Sequence, residues 1–192
     1  VQDLDYSVTY LSNKNVGTAK VVICGKGVYT NSLTKTFTIR PETMASAVIT
    51  GCKAKYSYTG KQVKPLIQVV WNGKILRNNT DYTLLYKNNK KRGSAGIVVT
   101  GKGNYSGTLT ASFTIVRASV KKASVTGLKA VYARTGKAVK PKVTVKLGGK
   151  KLKKKRDYIL SYRKNKKKGT ALLYIKGVGN YSGTKKMKFK IR

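Results

Sequence analysis

The chain has no histidine, and only 5 of its 192 residues are acidic. Without histidine it lacks the one side chain whose ordinary pKa lies near neutrality, which is also the commonest metal ligand. Five scattered carboxylates are too few for paired-carboxylate hydrolysis, and a Ser-His-Asp triad cannot be assembled. The expectation is a protein that is not an enzyme and uses neither a cofactor nor a metal. No apolar run approaches the roughly 18–20 residues a spanning helix needs, so membrane insertion is not expected either. What the chain does have is 42 Lys+Arg, a net charge of +37, and 40% apolar residues. That much Val, Ile, Leu and Tyr is enough for packed cores and excludes a disordered tail.

The chain also repeats itself. Asp-Tyr occurs at Asp5-Tyr6, Asp81-Tyr82 and Asp157-Tyr158, a spacing of 76 both times. In the same register Gly17, Gly93 and Gly169 align, as do Phe37, Phe113 and Phe189. The layout is a half-repeat, 1–40, followed by two complete repeats, 41–116 and 117–192. Each repeat reads as short strands of period two. Tyr82/Leu84/Tyr86, Ala95/Ile97/Val99 and Phe113/Ile115 mark inward faces, while Lys186, Lys188, Lys190 and Arg192 point outward on the last strand. Asn72-Gly73 and Gly148-Gly149 each follow an alternating run, which is a two-residue hairpin signal. The expected fold is all-β, with one compact antiparallel sandwich per complete repeat. Residues 1–40 supply only the second half of such a sandwich. Their apolar face therefore needs a cover, either from more of a longer array or from a partner chain.

From Asp81-Tyr-Thr-Leu-Leu-Tyr86 through the Asn/Lys-rich loop to Gly93, and again at Gly101-Lys-Gly-Asn-Tyr-Ser-Gly107, the sequence resembles the bacterial immunoglobulin-like repeats of the Big/MBG type. These repeats build large secreted and surface proteins of Gram-positive bacteria. The resemblance spans 1–40 and 41–192; the first repeat departs from it at Val28, where the pattern has Asn. It implies tandem immunoglobulin-like sandwiches in an extracellular or cell-surface protein, serving as stalk, spacer or binding module.

Several positions invite a functional reading. Asp5, Asp81 and Asp157 hold one repeat position; a lone carboxylate per repeat points to a structural role, bonding backbone N–H groups at a turn or pairing with a loop lysine. The Gly101–Gly107 and Gly177–Gly183 segments have the wrong spacing for a phosphate loop and read as turns. An Asp-assisted Lys–Asn crosslink would need an inward lysine, and the alternation offers none. Sequons at Asn78, Asn104 and Asn180 fit turn chemistry. In the exported setting that the resemblance implies, Cys24 and Cys52 are expected to form a disulfide across the first repeat boundary, with unbridged thiols or interchain pairing as the alternatives.

Charge is the most informative feature because it is uneven: +3 over 1–40, +9 over 41–116 and +25 over 117–192. The last repeat carries Lys150, Lys151, Lys153, Lys154, Lys155 and Arg156 on one connection, and Lys164, Lys166, Lys167 and Lys168 on another. These two runs flank the strand from Tyr158 to Arg163, at its opposite ends or on one rim. Self-repulsion on this scale argues for a polyanionic partner. Lysines outnumber arginines 34 to 8 and no aromatics interleave with the runs, so specific nucleic-acid recognition is not expected. The resemblance points to anionic cell-envelope polymers, teichoic acids among them, or host glycans. The expected role is a stalk whose last repeat attaches electrostatically. The alternative is a filament or pilus-like subunit, with a neighbouring copy of the same chain completing the first repeat.

Overall fold

The computed structural model describes residues 1–192. The chain is all-β, with one short 3-10 turn at Val120–Lys122, and no helix is long and apolar enough to cross a membrane. The strands recur at the 76-residue interval. Tyr6–Leu11, Tyr82–Lys87 and Tyr158–Arg163 correspond, as do Gly17–Gly25, Gly93–Gly101 and Gly169–Gly177. The register repeats with them, since Tyr6 faces Gly25, Tyr82 faces Gly101 and Tyr158 faces Gly177. Gly17, Gly93 and Gly169 open the long strand at φ 138°, 127° and 131°, where a side chain would be strained. Both hairpin signals fold as two-residue turns with positive φ at each position, Asn72 (46°) with Gly73 (76°) and Gly148 (54°) with Gly149 (76°).

The chain forms two compact units. The first comprises Val1–Cys52, Pro65–Lys87 and Gly96–Ser112; the second comprises Lys53–Lys64, Asn88–Ala95 and Phe113–Arg192. In the first unit, Tyr6–Leu11, Gly17–Gly25 and Ser32–Ile39 make a three-stranded antiparallel sheet, and Val48–Thr50, Gln68–Trp71 and Lys74–Leu76 make another. In the second unit, Ser124–Thr126, Thr144–Leu147 and Lys150–Lys151 form one sheet. A second sheet there has the order Val131–Tyr132, Thr184–Ile191, Gly169–Gly177, Tyr158–Arg163. Its inward residues Ala171, Leu173, Ile175, Phe189 and Ile191 are buried with Val120, Val145 and Leu152. Burying such side chains contributes roughly 1.5–3 kcal/mol each before entropy is counted.

The ladders are not antiparallel throughout. Lys55–Ser57 runs parallel to the end of Thr108–Val116, and Val131–Tyr132 runs parallel to the end of Thr184–Ile191. Glu42–Thr43 with Tyr105–Ser106 and Ala118–Ser119 with Tyr181–Ser182 are also parallel. Alternation in a sequence identifies which face is buried, not the direction of the neighbouring strand, so these pairs were not legible in it.

The parallel edge strands also explain why the first 40 residues differ. Tyr56 packs edge-on against Phe113 (5.2 Å) and Tyr132 against Phe189 (5.4 Å), and both phenylalanines are 2% exposed. Ser32–Ile39 instead stands at the edge of its sheet, and Phe37 is 41% exposed. Tyr29, equivalent to the buried Tyr105 and Tyr181, is likewise exposed.

Candidate polyanion-binding surface

The two basic runs of the last repeat lie at opposite ends of one strand. Lys150 and Lys151 belong to a hairpin arm paired with Leu147 and Lys146, and the Lys150 Nζ sits over the Tyr58 ring, 5.8 Å from its centroid. The chain then turns through Lys153–Arg156, with Lys155 at φ 70°, and enters Tyr158–Arg163. At the far end Lys164, at φ 55°, opens the second run. Asn165 anchors that loop by exchanging hydrogen bonds with Val139, Nδ2 to O at 2.9 Å and Val139 N to Asn165 O at 2.7 Å. Residues 164–170 line an open recess of about 500 Å³ in which Lys164, Lys166, Lys167 and Lys168 are exposed. A six-residue strand is about 20 Å long, so the two runs do not converge on one small ligand.

The repeated aspartates are turn anchors. The Asp81 Oδ2 accepts from the Arg77 N–H at 2.8 Å, and the Asp157 Oδ2 accepts from the Lys153 N–H at 2.8 Å. Each is buried. Their ionic partners are arginines rather than loop lysines, because the turn places Arg77 and Arg156 beside them. Arg156 grips Asp157 through Nε (2.9 Å) and Nη2 (2.8 Å), and this pairing holds the Asp157 carboxyl below the usual carboxylate range. The Arg77 Nε lies 3.5 Å from Asp81. Asp5 pairs with the amino group of Val1. Burial raises the phenols of Tyr158, Tyr162 and Tyr181.

Between the two loops lies a basic sheet face that the contiguous runs did not reveal. On Thr184–Ile191 the side chains of Phe189 and Ile191 point inward and those of Lys186, Lys188 and Lys190 point to solvent. Opposite them on the neighbouring strand stand Tyr174, Leu172 and Thr170. Tyr174 is flanked by two cations, Arg163 at 5.6 Å and Lys186 at 6.0 Å from the ring centroid. Lys176, next to Ile159, extends the face toward the first loop. An aromatic therefore does interleave with the cations, but through sheet pairing rather than along the sequence.

The remaining positions are structural. Gly101 and Gly177 donate to the carbonyls of Gly107 and Gly183 at 2.9 Å; at Gly177 a Cβ would come within 2.7 Å of the Ser182 backbone N. Lys185 corrects the expectation of no inward lysine: it turns inward at the edge of the core, and its Nζ donates to the carbonyl of Ala123 at 2.7 Å. The expected Cys24–Cys52 bridge is not formed. Cys24 is fixed in two ladders, opposite Ser7 and Ser32, whereas Cys52 follows the Gly51 turn in irregular chain. No three His, Cys, Asp or Glu side chains gather as a metal site. Comparison with protein-family models, curated proteins and solved structures finds no match.

Proposed function

We propose that the chain is a structural and binding segment of an extracellular protein, a stalk of β repeats whose last repeat attaches electrostatically to anionic polymers of a cell envelope or matrix. One observation carries this reading. Asp157 is the only acid in the second compact unit, and it is buried and held by Arg156. The exposed lysines around it thus have no carboxylate within their own unit to neutralise them. A surface of one sign raises the local concentration of polyanions and speeds their capture. The resemblance to bacterial immunoglobulin-like repeats supports the extracellular setting.

The test is cosedimentation of the 192-residue chain with Gram-positive cell walls, before and after removal of their anionic polymers, over a salt series. The control replaces seven lysines by the residues standing 76 positions earlier: Lys154→Asn, Lys155→Asn, Lys164→Asn, Lys176→Thr, Lys186→Thr, Lys188→Ser and Lys190→Thr. Wall binding that is lost on stripping, in salt and in the control supports attachment. Equal pelleting of both chains refutes it.

The open edge and exposed Phe37 of the first segment favour a second reading, a fibre in which a neighbouring copy covers that face. It predicts polymers that grow with concentration, measurable by analytical ultracentrifugation; a monomer at every concentration rules it out.

A further inference from the structure

Within that attachment reading, on which this step rests, we infer that the primary contact is the flat outer face of the Thr184–Ile191 sheet, not the two lysine-rich loops, and that its ligand is an extended polyol-phosphate chain. The row Lys186, Lys188, Lys190 occupies alternate positions of one strand, so its side chains arise from the backbone at intervals of about 6.8 Å. That stride suits a linear polymer carrying one phosphodiester per short polyol unit. A glycan charged once per disaccharide presents its anions at longer intervals. The row runs from the level of Tyr174 and Ser161, midway along the sheet, to that of Thr170, and so leads toward the second loop.

Two further observations sharpen this assignment. In the earlier repeats the same three positions are Thr34, Thr36, Thr38 and Thr110, Ser112, Thr114, and the position of Tyr174 is Val22 and Val98. The strand therefore forms equally well with a neutral hydroxyl row, and the lysines are not required by the fold. Second, Tyr174 is engaged by Arg163 and Lys186. Its ring lies beside two cations and is the one aromatic on this face, so successive bases have no row of rings to stack on. That arrangement suits a phosphate oxygen and disfavours single-stranded nucleic acid, which is held largely by stacking.

The experiment titrates the whole 192-residue chain with poly(glycerol phosphate) at several salt concentrations. Two charge-matched variants each remove three lysines: Lys186→Thr/Lys188→Ser/Lys190→Thr on the face, and Lys154→Asn/Lys155→Asn/Lys164→Asn at the loops. Both introduce residues that the second repeat already carries at those positions. The face variant is expected to bind at least about tenfold more weakly at low salt and to lose about 2 from the slope of log K against log salt. The loop variant is expected to lose less than about 1 from that slope. Equal losses, or a larger loss from the loops, overturn the face assignment. Tighter binding of a sulfated polysaccharide or a single-stranded oligonucleotide than of poly(glycerol phosphate) overturns the ligand assignment, although a preference for the polysaccharide leaves electrostatic attachment standing. Failure to bind any of the three at low salt overturns this inference and the attachment reading together.

Discussion

Replacing Asp157 by Asn tests whether the turn before Tyr158–Arg163 is held by charge. The carboxylate accepts three hydrogen bonds, from the Lys153 N–H and from Arg156 Nε and Nη2, all between 2.8 and 2.9 Å. An amide retains one acceptor for the Lys153 N–H, but that bond weakens from a charge-assisted to a neutral one, a difference of about 1 kcal/mol. Its NH2 group then faces the donors of a guanidinium. Arg156 is largely solvated and can turn to water, so the cost at that side is limited and the total is about 2 kcal/mol. Asp81→Asn is the internal comparison. Its backbone bond is equally short, but its arginine contact is 3.5 Å, so about 1 kcal/mol is expected. Urea unfolding at pH 7 measures both.

The pH dependence makes an independent test of the same contact. Arg156 holds the folded Asp157 pKa below its unfolded value, which is about 3.9. The stabilisation is complete above that value and is lost as pH falls through the folded pKa. The wild type should therefore lose stability below about pH 4, and Asp157→Asn should remove part of that loss. If Asp157→Asn costs no more than Asp81→Asn, or leaves the acid limb unchanged, the bidentate pair does not hold the turn.

Two other substitutions probe the first segment and the backbone. Phe113→Ala and Phe189→Ala should each cost about 3–5 kcal/mol by emptying a closed core, whereas Phe37→Ala, already 41% exposed, should cost about 1 kcal/mol or less by the same urea assay. Lys155→Asn should stabilise by several tenths of a kcal/mol, since Asn tolerates the left-handed φ of 70° better than Lys, and differential scanning calorimetry at high salt isolates this from the charge change.

The strands were readable because their inward residues obey a strict period of two, and the 76-residue register let each repeat check the others. The hairpins were readable because Asn72-Gly73 and Gly148-Gly149 carry the backbone signs their turns require. The parallel pairs at Tyr56 and Tyr132 were not, since direction leaves no trace in a two-residue or three-residue strand. The candidate surface was partly visible. The outward Lys186, Lys188 and Lys190 followed from alternation, but the placing of Tyr174 beside both Lys186 and Arg163 joins residues 12 and 11 apart in sequence across neighbouring strands. Contiguous runs at 150–156 and 164–168 are plain in the sequence because it displays neighbours along the chain, whereas a sheet assembles neighbours across it.

The second and third repeats separate what the fold requires from what it merely carries. They share the starting residue of every strand and the hairpins. They also share the tyrosine bonds to Pro65 and Pro141 (2.6 and 2.8 Å) and the asparagine bonds to Val63 and Val139 (3.0 and 2.9 Å). They differ on the outer face, where Thr110, Ser112 and Thr114 give way to three lysines, and at the turns, where Asn78, Asn79 and Asn88 give way to three more. Like charges about 6.8 Å apart repel by roughly 0.6 kcal/mol per neighbouring pair even in bulk water, while threonine is the better strand former. On grounds of stability alone the hydroxyl row is therefore preferred at those positions. A lysine row that costs stability, on a scaffold that folds the same way without it, is explained by something outside the fold, and an anionic chain lying along the face meets that requirement.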